Sequence, residues 1–130
     1  DVRVSGVDVR FEGAEALPTV RCDPAQLRQV LWNLLRNAAQ VTRPGDAVDV
    51  SLVADEGSVT LSVADRGPGV PEAMRSRIFE AYYSGSARGA GIGLAIVKRI
   101  ADAHGAMLEV LGVRAGSVFA LRLPLDGGAA

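Results

Sequence analysis

Apolar and polar positions alternate from the first residues, with Val2, Val4, Val7, Val9 and Phe11 apolar, and this predicts an opening strand over 2–11. Leu17-Pro-Thr-Val20-Arg-Cys22 predicts a second short extended piece. The period then changes. Leu27, Val30, Leu31, Leu34, Leu35, Ala38 and Val41 form one stripe at helical spacing. Asp23 suits the N-cap, Pro24 the first helical position, and Gln26 completes a capping-box pattern; Arg43-Pro44-Gly45-Asp46 ends the helix. Two alternating runs follow, Val48/Val50/Leu52 and Val59/Leu61/Val63, joined by Asp55-Glu56-Gly57-Ser58, and they predict an antiparallel hairpin. A short helix is expected around Glu72 to Phe79, then a polar loop over Ser84 to Arg88. A further helix rises from glycines, carries Ile92, Ala95, Ile96 and Ile100, and stops at Gly105. A last hairpin runs over Met107 to Val113 and Ser117 to Leu123, and Asp126-Gly-Gly-Ala-Ala130 is a frayed tail. The pattern implies an α/β (α+β) two-layer sandwich, a mixed and mostly antiparallel sheet covered on one face by about three helices.

Composition narrows this picture. A chain of 130 residues with 48% hydrophobic content fits one domain with a real core. The net charge of −1 gives no electrostatic support for a nucleic-acid role. No apolar run approaches the roughly 20 residues that span a bilayer. Cys22 is the only cysteine, which rules out an internal disulfide and a Cys-rich metal site and suggests a reducing, cytoplasmic setting. Glycine is high at 15 residues, and many of these cluster between 67 and 93, suggesting a site built from backbone. The alternation begins with no helix or linker ahead of it, so the expectation is a domain excised from a longer protein.

Three stretches carry candidate chemistry. Asn33 and Asn37 lie four apart on one helix face, at the edge of the apolar stripe, where they would line a cleft. A carboxamide oxygen suits Mg²⁺ and its NH₂ can donate to phosphate. Taken alone, the pair is also explained by solvated side chains. Asp65 ends a strand and precedes Gly67 and Gly69; its carboxylate can accept from the exocyclic amine of adenine while the glycines admit a flat base. Alone, it also reads as an ordinary tight turn. Gly89, Gly91 and Gly93 precede a helix, and their N–H groups with the helix N-terminus make an anion site, or else a hinge. Arg88 could reach phosphates or stay a solvated loop side chain. His104, the only histidine, suits a helix C-terminus better than catalysis. Trp32 lies off the apolar stripe and reads as packing against a neighbouring element or partner. Ser117 opens the last strand at a turn. No Ser/His/acid triad, paired-carboxylate signature or zinc pattern is present in the sequence.

Together these residues resemble the catalytic and ATP-binding domain of sensor histidine kinases, of the GHKL ATPase/kinase superfamily with its Bergerat fold. The likeness covers nearly the whole chain. Asp23-Pro-Ala-Gln-Leu27 through Asn33-Leu-Leu-Arg-Asn37-Ala38 resembles the N box, Asp65-Arg-Gly67-Pro-Gly69-Val70-Pro the first glycine box, and Ile78-Phe79-Glu80-Ala-Tyr82-Tyr83 the F box. Gly89-Ala-Gly91-Ile-Gly93-Leu94-Ala-Ile-Val97-Lys resembles the second glycine box, and Gly116-Ser117-Val-Phe119 the last turn. The resemblance implies an ATP-binding catalytic domain over residues 1–125 with a disordered tail at 126–130. It implies that Asp65 holds the adenine amine, that Val70, Ile78 and Leu94 line the base pocket, and that Asn37 ligates Mg²⁺ with Asn33 assisting on metal or phosphates. Gly89, Gly91 and Gly93 would wrap the phosphates, with Arg88 and Ser117 also at the nucleotide.

The implied reaction passes the γ-phosphoryl group of ATP to a histidine on a separate dimerisation domain of the same parent protein, with a response regulator downstream. It implies no nucleic-acid or direct membrane contact by this domain, though the parent protein could be anchored in a membrane. ATP-hydrolysing members carry Glu where Asn33 stands; Asn cannot take a proton, which favours holding ATP for transfer. Gln40 and Val41 stand where many of these kinases carry Lys and an aromatic residue, and the short lid over 84–88 lacks Lys. Two other readings of the same fold are a catalytically weak regulatory module and an anti-sigma-type serine kinase.

Overall fold

The computed structural model describes residues 2–4, 6–13, 22–75, 77–79, 93–113 and 116–125. The opening alternation makes two strands, β1 (Val2–Val4) and β2 (Val7–Gly13), paired antiparallel around Gly6. The expected single strand breaks there because the apolar phase slips by one residue between Val4 and Val7, which would otherwise turn Val7 and Val9 away from the core. The stretch from 14 to 21, including most of the expected second extended piece, lies outside the described residues.

Helix α1 spans Pro24–Val41. Asp23 caps it, its Oδ1 accepting from the N–H of Ala25 at 2.9 Å and of Gln26 at 3.4 Å. The reciprocal arm of the capping box is not formed by Gln26. The Asp23 N–H instead donates to Nε2 of His104 at 3.1 Å. Hairpin β3 (Ala47–Ala54) and β4 (Ser58–Ala64) follows as expected. Asp55 organises its turn, accepting from the N–H of Gly57 and from both N–H and hydroxyl of Ser58, and these bonds, together with Arg122, hold its carboxyl down at about 2. The helix expected around Glu72 is a single 3-10 turn, Glu72–Met74, and its hydrogen-bonded turns continue to Ile78.

Helix α2 spans Gly93–Ala103 and ends in a Schellman arrangement: Gly105 has φ +64°, Ala106 N–H donates to the Ala101 carbonyl, and Gly105 N–H to that of Asp102. Strands β5 (Met107–Val113) and β6 (Gly116–Pro124) close the chain.

The six strands form one sheet in the order β1-β2-β3-β4-β6-β5. Among the described residues only β2 and β3 pair in parallel, with Val9 beside Val48 and Phe11 beside Val50; every other neighbouring pair is antiparallel. Alternate residues point to one face: Val7, Val9, Val48, Val50, Leu61, Val63, Phe119 and Leu121. Helices α1 and α2 cover that face with Val30, Leu34, Ala38, Val97 and Ile100, making a two-layer sandwich. Phe79 meets Phe119 edge to face, ring centroids 6.2 Å apart, and fixes the segment after the 3-10 turn against β6. Among the described residues, no helix is long and apolar enough to cross a membrane.

Candidate nucleotide site

The site is assembled where β4 ends, β6 begins and α1 runs past both. Asp65 follows directly on β4, and its side chain is only 3% exposed. Its N–H donates to the Ser117 carbonyl at 2.9 Å, extending the β4–β6 ladder by one rung. Its Oδ1 accepts from the N–H of Gly67 at 3.0 Å and of Ser117 at 3.1 Å. Burial pushes this carboxyl above its ordinary value, and the N–H groups of Gly67 and Ser117 pull it partly back. Asp65 is therefore a carboxylate oriented by backbone donors in a poorly hydrated place, with hydrogen-bonding capacity to spare.

The loop after Asp65 is pressed close to α1. A Cβ on Gly67 would stand 2.7 Å from both the Cβ and the carbonyl oxygen of Val41, so only glycine permits this approach. At Gly116, φ is +139° and a Cβ would collide with the Asp65 carbonyl, so this position too is closed to a side chain. Thr42, buried at the C-cap of α1, accepts the Arg66 N–H on its Oγ1 at 3.1 Å. The Arg66 guanidinium forks onto Asp46 and Asp49, each at 2.9 Å. The hydrogen bond from Arg66, with the Ala47 N–H, holds the Asp46 carboxyl below its ordinary value. Thr42 and Arg66 thus pin the Asp65 loop, and neither gives a signal of this in sequence, since both bonds join residues far apart in the chain.

At the other end of the site, α1 meets the N-terminus of α2. A Cβ on Gly93 would stand 3.7 Å from Oδ1 of Asn33, so the carboxamide lies against the first residue of α2. Asn33 Nδ2 is buried with no hydrogen-bond partner among the described residues. Such an orphaned donor is costly unless something supplies an acceptor. The α2 N-terminus beside it favours negative charge. Asn37 is half-buried one turn further along α1, and Val41 one turn beyond that. From Asn33 to Val41 the helix rises about 12 Å. The helix therefore joins a pole that suits anions, at Asn33 and Gly93, to a pole that offers a buried carboxylate, at Asp65.

Of the other expected site residues, Gly69 lies in the Asp65 loop at φ +85°, its Cα facing the Gly116 carbonyl. Val70 and Leu94 are half-buried against the core. Ile78 is inside the core itself at 7% exposed. Ser117 is buried on β6 and bonded to Asp65 at both its N–H and its carbonyl. Arg88, Gly89 and Gly91 lie outside the described residues, as do Tyr82, Tyr83 and the lid over 84–88. Of the three glycines expected to wrap phosphates, only Gly93 is placed. His104 sits at the far end of α2, with Nδ1 bonded to the Ile100 carbonyl at 2.9 Å and Nε2 to the Asp23 N–H. That is the helix-terminal role its position suggests.

The chain is thus a mixed sheet under two helices, with this junction at the ends of β4 and β6. Residues 22–127 match the family described as histidine kinase-, DNA gyrase B-, and HSP90-like ATPase, and the chain belongs to it. Its relatives are sensor kinases. It is 34% identical over 127 residues to sensor histidine kinase ZraS of Escherichia coli (strain K12), covering 97% of this chain and 27% of that one. It is 41% identical over 137 residues to the probable sensor histidine kinase TcrY of Mycobacterium tuberculosis, covering 98% and 28%. The chain thus spans about a quarter of the length of these relatives. Among solved structures, full-length ShkA in complex with AMPPNP superposes with a TM-score of 0.81 at 38% identity, over 93% of this chain and 26% of that one. The nucleotide-free catalytic domain of histidine kinase ThkA superposes at 0.84 with 29% identity, over 92% and 80%.

Proposed function

We propose that this chain binds Mg·ATP and presents its γ-phosphoryl group to a histidine on a separate dimerisation domain, as the cytoplasmic catalytic half of a sensor kinase of a two-component system. The observation that carries the reading is the placing of a buried carboxylate and a buried, partnerless carboxamide N–H₂ near opposite ends of one stretch of α1. Asp65 offers a buried carboxylate to an adenine amine, and Asn33 offers a buried, partnerless N–H₂ to a phosphate or a metal-bound water. Val70 and Leu94, half-buried near these poles, supply apolar surface for the base. Asn37, between the poles, is the residue we assign to Mg²⁺, a hard cation that suits a carboxamide oxygen. The metal would supply charge neutralisation on the phosphates. Gly93 and the α2 N-terminus take the anionic end of the nucleotide. Position 33 is Asn and α1 carries no Asp or Glu, so this helix offers no base to activate water. That favours transfer over hydrolysis. The sensor-kinase relatives favour a histidine acceptor over a serine one.

The acceptor histidine is expected from a partner domain. Both ring nitrogens of His104 are engaged, one by each helix, so phosphorylation there would have to break a contact of the fold. Calorimetric titration with Mg·ATP tests the site: Asp65→Asn and Asn37→Ala should each weaken binding by about tenfold or more, the scale of one charged hydrogen bond or metal ligand. Unchanged affinity in both would overturn the assignment. A radiolabel assay should show phosphate appearing on an added histidine-bearing helical domain and none on the chain alone. Binding without any transfer would select the regulatory-module reading.

A further inference from the structure

The outer face of α1 carries chemistry that the nucleotide reading does not use. Arg28, Trp32 and Arg36 stand one turn apart on it, all exposed, with Trp32 52% exposed. From Pro24 to Val41 there is no Asp or Glu, so nothing on the helix neutralises the two guanidinium groups. None of the three side chains has a hydrogen bond, ion pair or ring contact among the described residues, whereas Arg66, Lys98 and Arg122 are all paired with carboxylates. A large aromatic left in water between two unpaired arginines is expensive to leave uncovered. Tryptophan and arginine are also the residues on which protein interfaces most often anchor.

We propose that this face docks an acidic helix of a partner protein, with two carboxylates about two turns apart meeting Arg28 and Arg36 and an apolar side chain between them covering Trp32. The charge pattern selects this occupant. A symmetric pairing of two copies through this face would set arginine stripe against arginine stripe. A nucleic acid would gain few phosphate contacts here from a chain of net charge −1. A membrane surface would need several apolar side chains, while the single Trp32 has Arg28, Gln29 and Arg36 as its neighbours on this face. Trp32 and Arg36 immediately precede Asn33 and Asn37, so a partner clamped on this face grips the helix that carries the proposed metal and phosphate ligands.

Trp32 is the only tryptophan, so its emission reports the event directly. The 130-residue chain would be titrated with a capped helical peptide carrying glutamates at i and i+7 around a leucine at i+4. A saturable blue shift is expected, weakened about tenfold or more in R28E/R36E and by raising the salt from about 0.05 to about 0.5 M. R28Q/R36Q, with helical circular dichroism unchanged, should weaken it less. The proposal is overturned by no shift, or by an equal shift with lysine in place of both glutamates. It is also overturned if a uridine-rich RNA oligonucleotide or phosphatidylglycerol vesicles bind more tightly than the peptide. A blue shift that grows with protein concentration alone would assign the face to a second copy, and would equally overturn it.

Discussion

Asp65 is the residue at which stability and the proposed function pull apart. Its carboxyl is pushed above the ordinary value of 3.8 by burial. An acid whose folded value is raised costs stability when ionised, so the cost grows as pH rises from that ordinary value through the folded one and is relieved on acidification. Asp65→Asn removes the charge and keeps an amide oxygen to accept the N–H groups of Gly67 and Ser117. The unliganded variant should melt at the same or a higher temperature than the parent at neutral pH and lose this part of the pH dependence, while its ATP affinity falls. A variant markedly less stable at neutral pH would contradict this account.

At the scale of elements, the two helices are tied at the end remote from the proposed nucleotide site by one side chain. The ring of His104 caps the last turn of α2 and accepts the first free N–H ahead of α1. His104→Ala removes both bonds and leaves the Asp23 N–H without this acceptor, so a loss of about 1–2 kcal/mol is expected in denaturant or thermal unfolding. No loss would mean that solvent replaces both bonds. The elements themselves were legible in sequence wherever the signal was local. The Asp23-Pro24 start of α1, its apolar stripe, the Asp55 turn and the Gly105 stop all depend on neighbours a few residues away. The cross-links were not. Thr42 reaches Arg66 across 24 positions, and His104 reaches Asp23 across 81. Such pairings are decided by how layers stack, which a periodic pattern does not specify. The phase slip between Val4 and Val7 was present in the sequence, and it marks the turn that separates β1 from β2. For the candidate site, the Asn33/Asn37 pair and Asp65 with its glycines were legible as residue types at telling spacings. The buried orphan at Asn33 and the Gly67–Val41 contact became visible only in three dimensions.

At the scale of the whole molecule, one feature stands apart, the parallel pairing of β2 with β3 in a sheet otherwise antiparallel. Hairpins β3–β4 and β5–β6 close over short turns, whereas β2 can join β3 only after the chain between Gly13 and Ala47, α1 included, has been drawn in. The β1–β2 ribbon is therefore expected to dock late in folding and to open first from the native state. Native-state amide exchange should find lower opening energies at Val7 and Val9 than at Val63 and Phe119, and the reverse order would count against this. Asp65 and Ser117 hang from the β4–β6 ladder, on the side of the sheet that assembles first. The pocket's backbone can thus be complete before the periphery closes, and it can outlast the loss of that edge.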